Sequence, residues 1–466
     1  MGKQIPYVQH KMKLYNTLKK QKVQLTPLIK DQVTIYSCGP TVYNFAHIGN
    51  LRAFLFMDTL RRVVEFNDYN ANLVMNITDV GHLTDDADEG EDKMEKGAKR
   101  EGKTVWQIAE FYTNAFLKDI KKLNIKTPTT ICKATDHIKE QIDMIKKIVQ
   151  NGFTYITSDG VYFDTSKLSD YGKLIPNFNP ENLEAGKRVS MGEKKNLTDF
   201  ALWKFSFPNE KRQMKWESPW GTGFPGWHIE CTAMGCKYLG NKIDIHTGGI
   251  EHIPIHHTNE IAQAQAANGE EHVNIWLHNE HLLVNSNKMS KSLGNVYTLS
   301  DLEEKEYSPL DFRLLCFSTH YRKNLNFTFE ALNGAKNARK KIISKLKNIN
   351  TENSEGQINQ SLHQEFKEAL NDDLNTPVAL SILHKTLDAD IPNQDKVATI
   401  EKFEEVLALN LFEKETYPTQ VLNLVEEREL ARQQKNFELS DHLRDKIQAL
   451  GYEVKDTKTG QILSKK

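Results

Sequence analysis

The chain has 466 residues, 39% hydrophobic and 26% charged, which is enough for more than one core and typical of a soluble globular protein. Lysine plus arginine number 61 against 62 acidic residues, so bulk charge gives no argument for nucleic acid and leaves any RNA contact to a local patch. No apolar run of 18 residues argues for a membrane span, and the start, MGKQIPYVQH, lacks the apolar centre of a secretory signal. Five irregularly spaced cysteines argue against a disulfide framework and for reduced thiols, some of them metal ligands, in a cytoplasmic protein.

Val33 to Ser37 predicts a buried strand that ends at Cys38, and Gly39-Pro40 breaks it. His47-Ile48-Gly49-Asn50 follows, and helical spacing at Leu51, Phe54, Leu55, Val63 and Phe66 predicts a helix to 66. Strand, tight loop and helix is how an open α/β sheet presents a phosphate-bearing ligand, with free N–H groups at the helix start. A second strand ends at Asn76-Ile77-Thr78-Asp79. Its last polar residues read equally as turn formers or as neighbours of the first loop. Residues 83–102, dense in Asp, Glu, Lys and Gly, predict a mobile solvated loop.

Thr104 with Gln107 is a capping box for a helix whose apolar face is Val105, Ile108, Phe111, Tyr112, Phe116 and Ile120. A helix from about Thr135 turns Ile138, Ile142, Ile145 and Val149 inward and stops at Asn151-Gly152. Tyr155 to Asp164 predicts a hairpin turning at Asp159-Gly160. This material interrupts the sheet pattern, so about 90–215 reads as an insertion in the core domain. The pattern resumes with a strand at Ile243–Ile245, a turn at Gly248-Gly249 and a helix from His256 to about Ala267. From Tyr307 no strand pattern recurs. Helices are expected at 311–319, 329–349, 363–389, 394–409 and 419–434, with a polar linker at 350–362 and a last helix within 441–463. The helix at 329–349 carries Lys336, Arg339, Lys340, Lys341, Lys345 and Lys347, either a solvated face or a contact for RNA phosphates.

Two sets of residues carry chemistry. Lys288-Met289-Ser290-Lys291-Ser292 can present two ammonium groups three residues apart to one polyphosphate. His256 and Glu260, four apart, share a helix face, which alone is more often a surface pair than a metal site. Cys38 and Cys231 would add soft donors, and two thiolates, an imidazole and a carboxylate suit tetrahedral Zn²⁺. The spacing alone does not bring the four together.

The pair His47-Ile48-Gly49-Asn50 and Lys288–Ser292 resembles the signature of class I aminoacyl-tRNA synthetases. Cys38-Gly39-Pro40-Thr41-Val42-Tyr43, Gly226-Trp227-His228-Ile229-Glu230-Cys231 and His256-His257-Thr258-Asn259-Glu260 resemble the motifs of the cysteinyl-tRNA synthetase family. So do Leu374-Asn375-Thr376-Pro377 and Asp441-His442-Leu443-Arg444-Asp445, and the likeness covers essentially the whole chain. The resemblance implies an α/β fold: a Rossmann-type doubly wound parallel sheet with an α+β insertion, then an α-helical bundle and a small terminal module. The implied division is 1–302 catalytic, 303–349 connecting helices, 350–420 an anticodon-binding bundle and 421–466 an anticodon-recognition module. It implies ligation of L-cysteine to tRNA(Cys) through cysteinyl-adenylate, with ATP, Mg²⁺ and one Zn²⁺ per chain, and no membrane or DNA partner.

By the same resemblance Cys38, Cys231, His256 and Glu260 hold zinc, while Cys132, Cys236 and Cys316 are small packed thiols. His47, Lys288 and Lys291 act on the phosphates; Thr41, Gly49, Asn50, Gly248, Gly249 and Glu251 complete the ATP site; Thr78, Trp227 and His246 line the amino-acid pocket. Trp227 reads equally as core packing. Three positions depart from the family pattern: Asn50 where histidine is common, Ile255 where proline often precedes the His-His pair, and Glu251 where aspartate is usual. Two other readings share these residues: the cysteine:amino-sugar ligase of mycothiol synthesis, which lacks a terminal module like 420–466, and a non-catalytic tRNA-binding paralogue.

Overall fold

The structure, a computed structural model, describes residues 12–81, 92–178, 193–207, 212–290, 293–349, 355–412, 418–457 and 460–465. It divides into a unit to Leu411 and a unit from Phe412.

A short hairpin of β1 (Lys13–Asn16) and β2 (Gln21–Gln24) comes first, too polar to announce itself in the sequence. The core begins with β3 (Gln32–Ser37), α1 (Ile48–Phe66) and β4 (Asn70–Ile77). The expected loop at 83–102 is corrected in part. Lys93–Glu101 is a helix, α2, capped by the Asp92 carboxylate and closed by Gly102 at φ 63°; residues 82–91 lie outside the described residues. Next, α3 (Val105–Lys122) carries the Thr104–Gln107 capping box. Its apolar face is corrected at Phe111, which is exposed. Then come β5 (Thr130–Lys133) and α4 (Ile138–Gln150).

An antiparallel sheet follows, in the order β6 (Thr154–Ile156), β7 (Gly160–Phe163), β8 (Phe200–Phe205) and β9 (Gly223–Pro225). The chain returns to the core through α5 (Trp227–Leu239), β10 (Ile243–Gly249), α6 (Thr258–Asn268) and β11 (Val273–Asn279). Gly248 and Gly249, expected in a turn, are the last residues of β10 and pair with His278 and Asn279. The expected helix start at His256 is instead a π-helical turn over Ile253–His257.

The central sheet is parallel throughout, in the order β11-β10-β3-β4-β5. Its strands are buried on both faces, as their continuous Val, Ile and Leu content requires; Val33, Ile35, Leu73 and Ile245 are fully enclosed. The buried Asp244 carboxylate ties β10 to β3 through the Thr34 N–H (2.9 Å) and hydroxyl (2.8 Å). Strand order reverses at β3, so the loops leaving β3 and β10 part there and open a crevice.

Beyond the sheet, β12 (Leu282–Val284) pairs with β13 (Asn287–Lys288), and α7 (Leu299–Glu304) and α8 (Pro309–Phe317) follow. A strand does recur after 307: β14 (Leu325–Phe327) runs parallel to β12 and leads into α9 (Phe329–Lys347). The single helix expected at 363–389 is two, α10 (Gln360–Asn371) and α11 (Thr376–Asp388). Asp373 and Leu374 break it in the left-handed region, at φ 66° and 56°. The Asp373 carboxylate accepts from the Tyr15 N–H, Tyr321 and Arg322, which pulls it out of helical register. α12 (Asn393–Leu407) completes a bundle in which Phe366 stacks on Phe403 at 4.0 Å. Of the expected linker, 350–354 lie outside the described residues.

The second unit holds α13 (Thr419–Gln433), α14 (Phe437–Ala449) and a hairpin, β15 (Tyr452–Thr457) with β16 (Gly460–Lys465). Its core is Val421, Ile447 and Val454, and buried Arg428 meets Asp456 at 2.8 Å.

Candidate metal centre and nucleotide cavity

The crevice at the reversal of strand order is a cavity of about 330 Å³, lined among others by Cys38, His47, Thr78, Trp227, Gly248 and Met289. The loop after β3 brings Cys38, the second turn of α5 brings Cys231, the π-helical turn brings His256, and α6 brings Glu260. Their donor atoms all lie within 4.8 Å of one another. Cys38 Sγ is 3.9 Å from Cys231 Sγ and 3.9 Å from Glu260 Oε1, and His256 Nε2 is 3.1 Å from Glu260 Oε1. Tetrahedral zinc with bonds of about 2.0–2.3 Å has edges of roughly 3.3–3.8 Å, so the four donors stand near the corners such an ion needs. His256 is backed through Nδ1 by His228 Nδ1 at 3.0 Å, an imidazole at the place where a ligating histidine usually meets a carboxylate, a carbonyl or water.

A second set overlaps the first: Cys38, Glu260, His246 and His257. His257 Nε2 lies 3.3 Å from Cys38 Sγ, and its Nδ1 meets His278 Nε2 at 2.7 Å, which continues to the Thr17 hydroxyl at 2.8 Å. The first set offers two sulfurs, the second one.

The electrostatics show a donor cluster short of positive charge. Burial pushes the Cys38 thiol up, and the bond to Cys38 together with burial pushes Cys231 up further. Burial opposes charge on His256, but Glu260 and Cys231 outweigh it and raise that imidazole to about 10. Burial likewise opposes the Glu260 charge, yet His246 and His256 hold the carboxyl well below the usual range. A bound divalent cation would reverse the balance at both thiols. Cys132, Cys236 and Cys316 stand apart, with thiols raised by burial to about 12, 11 and 12.

At the other wall of the cavity, His47 caps α1. Its Nδ1 accepts the Asn50 N–H, and Asn50 Oδ1 accepts the His47 N–H, both at 3.2 Å. Asn50 therefore completes a capping box at the position where histidine is common. The expected row of free N–H groups is corrected: Ile48 N–H donates to Tyr297 O, and among the described residues only the Gly49 N–H of the first three lacks a partner. A β-carbon on Gly49 would meet the Met289 methyl, and one on Gly248 would meet the rings of His252 and His257. Glu251 lines the cavity and is exposed. Lys288 is exposed on β13, and Lys291 lies outside the described residues.

Thr41, Thr78 and Trp227 line the cavity, with Trp227 4.5 Å from the His256 ring. His246 lies one layer back: it is buried, its Nε2 is 3.0 Å from Glu260 Oε2, and its ring stacks on Trp276. Thr78 is held by Glu230 Oε2 at 2.9 Å and by Asn76. Sequence reasoning did not single out Thr247 and His252, which line the cavity with a buried hydroxyl and a buried Nδ1 that have no partner. Strand register places Thr247, and the turn Ile250–His252 that follows β10 places His252; no local pattern carries either.

The family described as tRNA synthetases class I (C) catalytic domain matches residues 24–337, and the DALR domain matches residues 365–409. The chain is 46% identical to cysteine–tRNA ligase 1 of Burkholderia lata, covering 97% of this chain and 96% of that protein. It is 44% identical to the cysteine–tRNA ligase of Treponema denticola, covering 96% and 98%. Among solved structures, Mycobacterium tuberculosis methionyl-tRNA synthetase with methionyl-adenylate shares the fold at 13% identity and a TM-score of 0.56, covering 81% of this chain and 90% of that one. The LeuRS–tRNA–LeuAMS complex of Agrobacterium radiobacter does so at 12% and 0.58, covering 83% and 84%.

Proposed function

The chain belongs to the cysteine–tRNA ligase family of class I tRNA synthetases, and on that footing we propose that it joins L-cysteine to tRNA(Cys) through a cysteinyl-adenylate made from ATP. The observation that carries the reading is the convergence of two thiols, an imidazole and a carboxylate at one wall of the switch-point cavity. Cys38, Cys231, His256 and Glu260 would hold zinc, which supplies a soft Lewis acid for the substrate thiolate. Van der Waals contacts separate such near-isosteres by only about 1–3 kcal/mol, so a donor set of this kind suits the choice of cysteine over serine.

The chain's own groups then position and stabilise. Trp227 floors the amino-acid end, and Thr78, its O–H donated to Glu230, offers its hydroxyl oxygen as an acceptor to the substrate. His246 orients Glu260 from behind. The cysteine carboxylate attacks the α-phosphorus of ATP, and magnesium pyrophosphate leaves. His47, with Nδ1 committed to the cap, would meet the phosphates through Nε2. Lys288 and Lys291 reach the β- and γ-phosphates, and Gly49, Gly248, Gly249 and Glu251 face the adenosine, beside Thr41 of the entry loop and Asn50 of the first turn of α1. The terminal ribose hydroxyl of tRNA then attacks the adenylate carbonyl and AMP leaves. Neither step needs a protein nucleophile.

Within this reading, 1–302 activates cysteine, 303–349 connects, 350–420 carries the tRNA-binding bundle and 421–466 the anticodon module; the basic face of α9 suits tRNA phosphates. Cysteine-dependent pyrophosphate exchange, run with and without a chelator and followed by charging of tRNA(Cys), tests it. Exchange that chelation abolishes, then charging, is the expected result. Exchange without charging would favour an amino-sugar ligase, and neither would favour a non-catalytic paralogue.

A further inference from the structure

The cavity mouth carries apolar surface that packing does not account for. Phe45, two residues before His47, is 47% exposed, and Phe111, on α3, is 44% exposed. Their rings meet edge-on at 5.9 Å, and both lean on buried Tyr112, at 5.0 and 5.1 Å. Tyr112 and Phe116 of α3 are buried on this side, and the two phenylalanines add half-open rings outside them. Phe45 and Tyr112 line the cavity, so the shelf is continuous with the space assigned above to the adenylate. Lys103 Nζ stands 4.3 Å from the centre of the Phe111 ring, and Arg100 reaches the Tyr112 hydroxyl. Glu101 pairs with both cations and accepts from Tyr112, which leaves the group one positive charge in excess.

Cysteine and ATP occupy the interior on the proposed reading, so a third reactant has to arrive across this rim. Its reacting end is a single-stranded ribonucleotide terminus. Unpaired bases are held by stacking on aromatic rings, assisted by nearby cations, with little demand on base identity. We propose that the Phe45–Phe111 shelf is the platform on which the unpaired 3′ end of the tRNA stacks, so that its ribose hydroxyl is presented to the adenylate. The proposal rests on the tRNA-charging function and goes beyond it by naming the rim residues that seat the end.

The test uses the full-length, zinc-loaded enzyme and a tRNA(Cys) transcript. Phe111→Ala is expected to leave cysteine-dependent pyrophosphate exchange and the KM values for cysteine and ATP near wild type. It should lower single-turnover transfer from preformed adenylate, or kcat/KM for tRNA, by roughly 5- to 100-fold. Phe111→Tyr should restore most of the loss. Transfer unchanged in Phe111→Ala would overturn the platform, as would exchange and transfer falling together, which marks plain packing. A wild-type dimer that Phe111→Ala dissociates, with charging intact, would overturn it too and assign the shelf to a second copy. If wild-type enzyme gives exchange but no charging, the functional reading itself fails, a separate outcome.

Discussion

Glu260 is gripped from both sides. Oε1 faces Cys38 and His256, and Oε2 accepts from His246 Nε2. A carboxylate with one oxygen spoken for presents the other at a fixed angle, and removing such a partner typically weakens metal binding about 10–100-fold. His246→Ala should therefore lower zinc affinity by about that range, read by competition with a chromophoric chelator. Unchanged affinity would show that Glu260 needs no brace. The two overlapping donor sets make a sharper prediction. Zinc on Cys38, Cys231, His256 and Glu260 gives two Zn–S distances of about 2.3 Å in X-ray absorption, and zinc on the alternative set gives one. We expect two, and loss of one sulfur in Cys231→Ala. The residue types of the four clustered donors were legible because their motifs carry them. The second layer was not, because His228 meets His256 only where α5 packs on the π-helical turn, and His257, His278 and Thr17 line up only when β10 and β11 pair in register, Gly248 opposite His278.

At the scale of elements, α1 is fastened to the arm that carries Lys288. Arg52, one turn into α1 and buried, donates through Nη1 to the carbonyls of Glu280 (2.7 Å) and His281 (2.6 Å) and through Nη2 to Lys323 O (2.6 Å). These carbonyls precede β12 and β14, and β12 is the strand that pairs with β13. His47 and Lys288 are thus held at a set separation by one side chain that reaches neither substrate. Arg52→Ala removes all three bonds, leaving Glu280 O with Asn279 Nδ2 and His281 O with the Leu325 N–H, and frees the arm. ATP-dependent exchange should fall roughly 10- to 100-fold through ATP KM and kcat, while cysteine KM holds. A fall in cysteine affinity of the same size would contradict the assignment. Strand β3 and helix α1 could be read from periodicity, and the capping box of α3 from Thr104 and Gln107. The π-helical turn could not: Ile253–His257 looks like the first turn of α6, and only tertiary contacts require both His256 and His257 to face inward. The break at Asp373 was hidden for the same reason, since its partners Tyr15 and Tyr321 are far away in sequence.

Across the whole first unit, one buried ion network ties the sheet domain to the helical bundle. Asp58 on α1 pairs with Arg62 (2.8 Å) and with Arg313 on α8 (2.6 Å). Arg313 also donates to Leu407 O at the end of α12 and Leu123 O at the end of α3, and Arg62 donates to Glu405 O. Burial works against the Asp58 charge, but Arg313 and Arg62 outweigh it, so its folded pKa lies below the unfolded value of about 3.9. A depressed acid stabilises the fold above its unfolded pKa and loses that contribution as pH falls through the folded one. Asp58→Asn should cost about 3–5 kcal/mol at pH 7 because it strands two buried guanidinium groups. Asp119 on α3 has the opposite sign. Burial raises it to about 6, with Lys122 opposing and Glu303 reinforcing. Its fold binds a proton that the unfolded chain has released, so stability declines as pH rises from about 4 to 6 and stays reduced above. Asp119→Asn should then gain on wild type in urea midpoint between pH 4.5 and pH 7, while Asp58→Asn falls further behind over any rise through the acid range. If the Asp119→Asn difference were the same at both pH values, that carboxyl would titrate alike in the folded and unfolded chains, and burial on α3 would not be the force acting on it.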